Sequence, residues 1–245
     1  MTKKKSGKTM RLAGLLLVLV LVTSCFVGGT FAKYVTSGGG TGEARVAKFG
    51  VNVSAVGDVF AKEYDAKDPI LTDYNGDAIA KSVIAADGKN VVAPGTKKDD
   101  ALVVSVTGTP EVAVEVKYEG HVTFTSGVPG ATSNWKDADG KYYCPLVITV
   151  NGTQFNGMDY DSETEFANAV VAAINGLTKN YAPNTNLSAS ASKDVHISWE
   201  WPFENATGTK YNQSDVNDTY LGNQAAAGDA ATVGIIVTAT VTQID

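Results

Sequence analysis

Val112-Ala113-Val114-Glu115-Val116-Lys117-Tyr118-Glu119 places an apolar side chain at every second position, with a small or charged one between. Successive side chains of a strand point to opposite faces, so this period buries one face and wets the other. The pattern recurs. Leu102, Val104 and Val106 oppose Val103, Ser105 and Thr107, and Val195, Ile197, Trp199 and Trp201 oppose His196, Ser198 and Glu200. Ile235, Val237, Ala239 and Val241 likewise oppose Ile236, Thr238, Thr240 and Thr242. Half-wet strands belong to antiparallel sheets, whereas strands of a parallel α/β sheet are apolar on both faces. The expected fold is therefore all-β, an antiparallel β-sandwich. Asn75-Gly76, Asp87-Gly88, Asp139-Gly140, Asn151-Gly152 and Asn156-Gly157 supply residues tolerant of positive φ, several of them between such runs.

One helix is expected within this pattern. Ser162 and Glu165 have the spacing of a capping box, and Phe166, Val170, Ala173, Ile174 and Leu177 form an apolar stripe at helical period. With Gly176 near its last turn, an amphipathic helix over 162 to 176 is expected to lie over an open end of the sandwich. Residues 178 to 193 and 204 to 231, rich in Asn, Ser, Thr, Ala and Gly, read as long surface loops. No internal repeat or linker divides the chain after its first residues.

Those first residues read as an export signal. Lys3, Lys4, Lys5, Lys8 and Arg11 form a basic stretch without an acid, and Leu12 to Val22 is apolar. About a dozen apolar residues suit a signal peptide, whereas a permanent bilayer span needs roughly 20. Small residues at Thr30 and Ala32 set cleavage between Ala32 and Lys33, making 1 to 32 a secretory signal peptide and 33 to 245 a single β domain. Residues 33 to 43 are then a flexible N-terminal segment, with Gly38-Gly39-Gly40 inside it. Val22-Thr23-Ser24-Cys25 offers a rival, a lipobox in which Cys25 would be acylated and tether the chain to the membrane. An uncut anchor is the third alternative. A signal peptidase is the implied processing partner, no permanent membrane span is expected, and the location is secreted, extracellular or cell surface.

The 245-residue chain has 20 basic and 26 acidic residues, a formal net charge of −6. Cleavage after Ala32 removes five basic residues and no acid, so the remaining 213 residues carry −11. An acidic, evenly spread surface argues against nucleic acid and anionic lipid as partners. Cys144 would be the one cysteine left, which rules out an internal disulfide and reads as a small buried side chain.

Catalytic signatures are missing from the sequence. His121 and His196 are the two histidines, and neither has the helical spacing and glutamate of a zinc peptidase. No phosphate-binding loop, dinucleotide fingerprint or nucleophile elbow occurs, and no carboxylate pair stands out as a glycosidase couple. No enzyme and no cofactor are expected. Calcium is the one ion with a sequence rationale. Asp73-Tyr74-Asn75-Gly76-Asp77 and Asp137-Ala138-Asp139-Gly140 alternate oxygen side chains near a glycine, and Asp215, Asn217 and Asp218 crowd another segment. Neither glycine-containing segment completes a twelve-residue calcium loop, and turns favour the same residues for backbone reasons.

Three stretches carry a family resemblance. Gly28-Gly29-Thr30-Phe31-Ala32-Lys33-Tyr34, followed by Ala44 to Val53, resembles the cleavage region and first mature strand of the SipW-dependent exported proteins of Gram-positive bacteria. That family contains TasA and the camelysin-like CalY. Pro94-Gly95-Thr96 with the strand at Leu102 to Thr107 and Gly108 to Val112 is similar to its second step, and Thr219-Tyr220-Leu221-Gly222 with Val233 to Gln243 to its closing strand. The resemblance implies a jelly-roll-like sandwich and a biofilm-matrix role. It also implies self-association into fibres, in which the N-terminal segment of one subunit completes the sheet of the next. Tyr34 and Val35 would be carried into the neighbour, although the triglycine beside them weakens β pairing. Some members are metallopeptidases, an activity for which this chain has no ligand set. The alternative is a cell-surface module that binds glycan or protein through loops 60 to 80 and 204 to 231, with Trp135, Trp199, Trp201 and Tyr211 as stacking surfaces.

Overall fold

The computed structural model describes residues 45–66, 72–126, 134–189, 194–203 and 214–244. The chain divides into two units, Met1–Val46 and Ala47–Asp245, and the fold is that of the second. Its elements run β1 (Val51–Val56), β2 (Glu63–Asp65), β3 (Lys81–Ile84), β4 (Lys97–Gly108), β5 (Val114–Ser126), β6 (Val147–Val150), β7 (Thr153–Asn156), a 3-10 turn (Gly157–Asp159), α1 (Glu163–Asn175), β8 (Lys179–Tyr181), β9 (Val195–Glu200), α2 (Ser214–Ala226) and β10 (Ala231–Gln243). Strand pairing is antiparallel throughout. One sheet has the order β1-β4-β9-β6-β7, a second β10-β5-β8, and a small third pairs β2 with β3. Among the described residues the protein is thus mostly β, built of antiparallel sheets with two helices.

The alternating residues point where their period requires. Val104 and Val106 of β4, Val114 to Phe124 at every second position of β5 except Gly120, and Val195, Ile197 and Trp199 of β9 join one hydrophobic core. Asn151-Gly152 makes the two-residue turn between β6 and β7, with φ of 46° and 83° and Val150 opposite Thr153. Asn156-Gly157 differs from the turn expected there. Asn156 is extended and its side chain accepts from Met158 N, capping the 3-10 turn. Gly157 is needed for space, since a Cβ would lie 2.5 Å from the Cys144 carbonyl oxygen.

Helix α1 forms where the stripe and cap placed it. Ser162 Oγ accepts from Glu165 N at 3.2 Å, and Glu165 Oε2 accepts from Asp161 N at 3.1 Å, one residue before the cap. Phe166, Val170 and Ile174 are buried, while Ala173 and Leu177 are half-buried. The helix covers an open edge rather than an open end. Strand β8 pairs with Val114 to Val116 of β5 and stops. Beyond it, Tyr118 N donates to Thr178 Oγ1 at 3.1 Å and Gly120 N to Asn175 Oδ1 at 2.9 Å, so side chains at the end of α1 continue the ladder.

Two expectations are corrected. The segment 178 to 193 is not all loop, because it opens with β8 and buries Leu187, whose N–H bonds Gly108 O at 2.8 Å. The segment 204 to 231 contains a second helix, α2, and the first residue of β10. Its apolar residues do not form a stripe: Val216 is exposed while Asn217 and Asp218 are buried with Leu221. Polar anchoring replaces the periodic signal on which helix recognition depends.

Candidate functional site

Strand β10 ends its sheet. It pairs with β5 over thirteen residues, Ala231 opposite Ser126 through Gln243 opposite Val114, without a bulge. The direction of its backbone groups follows from its partner. Tyr118 and Gly120 turn their N–H groups toward α1, away from β10, so they form non-hydrogen-bonded pairs with Ala239 and Val237. Val237 and Ala239 therefore turn their own N–H and C=O groups away from β5. Among the described residues no strand is paired with it on that side.

The side chains show the same opening. Inward residues of β5 such as Val116, Tyr118 and Val122 are buried, whereas Val233, Val237, Ala239 and Val241 of β10 are only half-buried. Strand β1, the edge of the other large sheet, behaves likewise. Val53 is 42% exposed although it pairs with Val106, which is 1% exposed. Beside the edge runs a groove of about 420 Å³, lined by Val59, Phe60, Leu102 and Gly234 to Val237. Edge strands commonly carry lysine, proline, a bulge or an inward charge against unwanted pairing. The stretch Ala231 to Gln243 carries none of these.

The start of the described chain is tied to the fold nearby. Lys48 N donates to Glu111 Oε2 at 2.8 Å, and Glu111 N to Lys48 O at 2.8 Å. These reciprocal bonds hold the residues before β1 against the turn that follows β4. Ala32, Lys33, Tyr34, Val35 and Cys25 lie outside the described residues, as do the triglycine and Tyr211.

Other candidate residues take structural places. Trp135, Trp199 and Trp201 are 2%, 2% and 5% exposed, so they are core residues rather than open stacking surfaces. Cys144 is fully enclosed, and burial pushes its thiol up to about 12. His196 Nδ1 lies 2.9 Å from Asp100 Oδ1, across the irregularity in β4 where Asp100 has φ 45° and its N–H bonds Ser198 Oγ. His121 stands on the outer face of β5, in the other sheet. Among the described residues no three His, Cys, Asp or Glu side chains converge as metal ligands.

The two calcium-like segments are one loop used twice. Asp73 Oδ1 accepts from Asn75 N and Asp77 N, and Asp137 Oδ1 from Asp139 N and Lys141 N, at 2.8 to 3.0 Å. These bonds give both aspartates a backbone role, and the Asp77 N–H foremost holds the Asp73 carboxyl below its usual range. Asp215, Asn217 and Asp218 belong to α2 instead of a loop.

Fold and edge together define a class: a mostly β protein of antiparallel sheets whose longest outer strand among the described residues carries no charge, proline or bulge. No protein family, curated protein or solved structure matches the chain. No helix among the described residues is long and apolar enough to cross a membrane.

Proposed function

We propose that the chain is a secreted, non-enzymatic structural protein of the biofilm-matrix type, and that it polymerises by adding its N-terminal segment to the β10 edge of the next copy. The fold in this reading is a jelly-roll-like β-sandwich, with the two larger sheets sharing one core. One observation carries it. Strand β10 offers thirteen uncharged, proline-free residues paired on one side, with half-exposed apolar side chains on its inner face. An incoming strand would use the outward groups of Val237 and Ala239 and cover those side chains, which makes sheet completion favourable in both hydrogen bonding and burial.

The donor is the segment from Lys33 to Val46, released when the leader is cut after Ala32. Its resemblance to the SipW-dependent family at Gly28 to Tyr34 supports that choice. Protein beginning at Lys33 is expected to form filaments visible by electron microscopy, and protein lacking Lys33 to Thr41 is expected to stay monomeric. Monomers from both would refute the reading. The glycan- or protein-binding alternative loses its main support with the burial of the three tryptophans.

A further inference from the structure

Strand β1 is a second free edge, in the other large sheet. Gly108 donates its N–H to Ser188 Oγ at 3.1 Å and accepts from Leu187 N at 2.8 Å, both away from β1, so it forms a non-hydrogen-bonded pair with Val51. By alternation Val51, Val53 and Ala55 turn their backbone groups away from β4. Among the described residues no strand is paired with β1 on that side. The stretch Val51 to Val56 has no charge, proline or bulge, and every residue after Val51 is exposed.

This edge is matched to itself. Its outward residues are spaced evenly about Val53, so a second copy running antiparallel about a twofold axis at Val53 sets Val51 against Ala55 at both ends. Such an axis joins the same patch on both copies and uses every outward group.

Charge fits the same axis. Gly50 and Gly57, with φ of 45° and 102°, turn the chain at the two ends of the strand, and just beyond them stand Lys48 and Asp58, both exposed. Among the described residues neither takes part in an ion pair. The twofold axis brings Lys48 of each copy toward Asp58 of the other, so opposite charges meet twice. Parallel pairing would instead set Lys48 against Lys48 and Asp58 against Asp58.

We propose that the β1 edge binds a second copy of this chain, the two β1 strands pairing antiparallel about Val53. Six residues a side fall short of the roughly 1,200–2,000 Å² that a stable interface buries, so free copies meet briefly and sediment as monomers. Along a polymer the contact repeats, and its avidity lets two polymers lie side by side. That consequence rests on assembly through β10, whereas the pairing itself does not.

The test is disulfide trapping in protein that begins at Lys33 and carries Ala239→Pro, which blocks the β10 edge. Across the twofold axis Asn52 of one copy forms a non-hydrogen-bonded pair with Ser54 of the other, about 4.5 Å between Cα atoms and within disulfide range. Two copies of Asn52 lie on a diagonal of about 7–8 Å, too far to bridge. Asn52→Cys protein is mixed in equal amounts with Ser54→Cys protein of distinguishable mass and oxidised with glutathione disulfide. Mixed dimers are expected to exceed either like dimer at least tenfold, and Cys144 does not compete because it is enclosed. The same ratio is expected without Ala239→Pro. Lys48→Glu in both partners should slow trapping at least threefold, and adding Asp58→Lys should restore it. Dimers in random proportion, no dimers, or a charge-swapped pair as slow as Lys48→Glu alone would overturn the proposal. Failure of the Lys33 protein to form filaments would refute assembly through β10 and leave these ratios unchanged.

Discussion

The Tyr143 hydroxyl donates to Asp218 Oδ1 at 2.7 Å, joining a core tyrosine to a helix that has no apolar stripe. Tyr143 is 0% and Asp218 8% exposed, so the bond forms away from water, where an unmade partner is costly. Trp201 Nε1 donates to the other carboxylate oxygen, and Asn134 bonds Asp229 just beyond the helix. Helix α2 is latched by polar groups, whereas α1 is held by a greasy face.

Tyr143→Phe removes one donor and leaves the Asp218 oxygen buried. A loss of about 1–3 kcal/mol is expected in urea unfolding. Hydrogen exchange should accelerate most in residues 214 to 226, with β4 and β5 still protected at the same pH. A uniform loss of protection would show that the bond does not latch α2 in particular.

Gly120 is a close approach of β5 to α1. A Cβ there would lie 2.8 Å from Ile174 Cδ1 and 3.0 Å from its Cβ. Gly120→Val is expected to cost about 1–3 kcal/mol by overpacking, measured by thermal melting. Combined with Ile174→Ala it should cost less than the sum of the two single losses, a non-additivity expected for touching residues.

Ser162→Ala removes the cap of α1 and is expected to cost about 1 kcal/mol. Ser162→Asp should restore most of it, because aspartate also accepts from the first turn. Chemical denaturation of the three proteins decides between these outcomes.

Alkaline pH should destabilise the protein from about pH 9 upward. Burial raises the Cys144 thiol from 9.0 to about 12 and the Tyr118 phenol from 10.0 to about 12. Both groups hold their protons more tightly when folded, so their contribution is complete below 9.0 to 10.0 and is lost as pH rises toward 12. Urea midpoints measured from pH 7 to 11 should hold steady to about pH 9 and fall beyond it. Cys144 should also resist alkylation at pH 8 until the chain unfolds.

The sequence revealed what periodicity encodes. Val112 to Glu119, Val195 to Trp201 and Ile235 to Thr242 read as strands because each turns alternate apolar side chains inward, and Phe166, Val170 and Ile174 read as a helix because they share one buried face. Helix α2 escaped because Asn217 and Asp218 do the docking, and a buried aspartate looks like a loop residue until its tyrosine and tryptophan partners are seen. Strand β8 escaped because three residues, Lys179 to Tyr181, are too few for a period. The open edge was legible only as a composition: Ala231 to Gln243 has neither charge nor proline, but which side of it lies free depends on Thr178 and Asn175 bonding β5 from the opposite flank.

Assembly through β10 is tested most directly by sedimentation velocity of protein beginning at Lys33, compared with its Ala239→Pro variant. Proline at 239 removes an outward N–H and leaves the ladder to β5 untouched, a substitution that edge strands tolerate. The original protein is expected to sediment as oligomers that grow with concentration, and the variant as a monomer with the same far-ultraviolet circular dichroism. A monomeric original protein, or a folded variant that assembles equally well, would contradict the account.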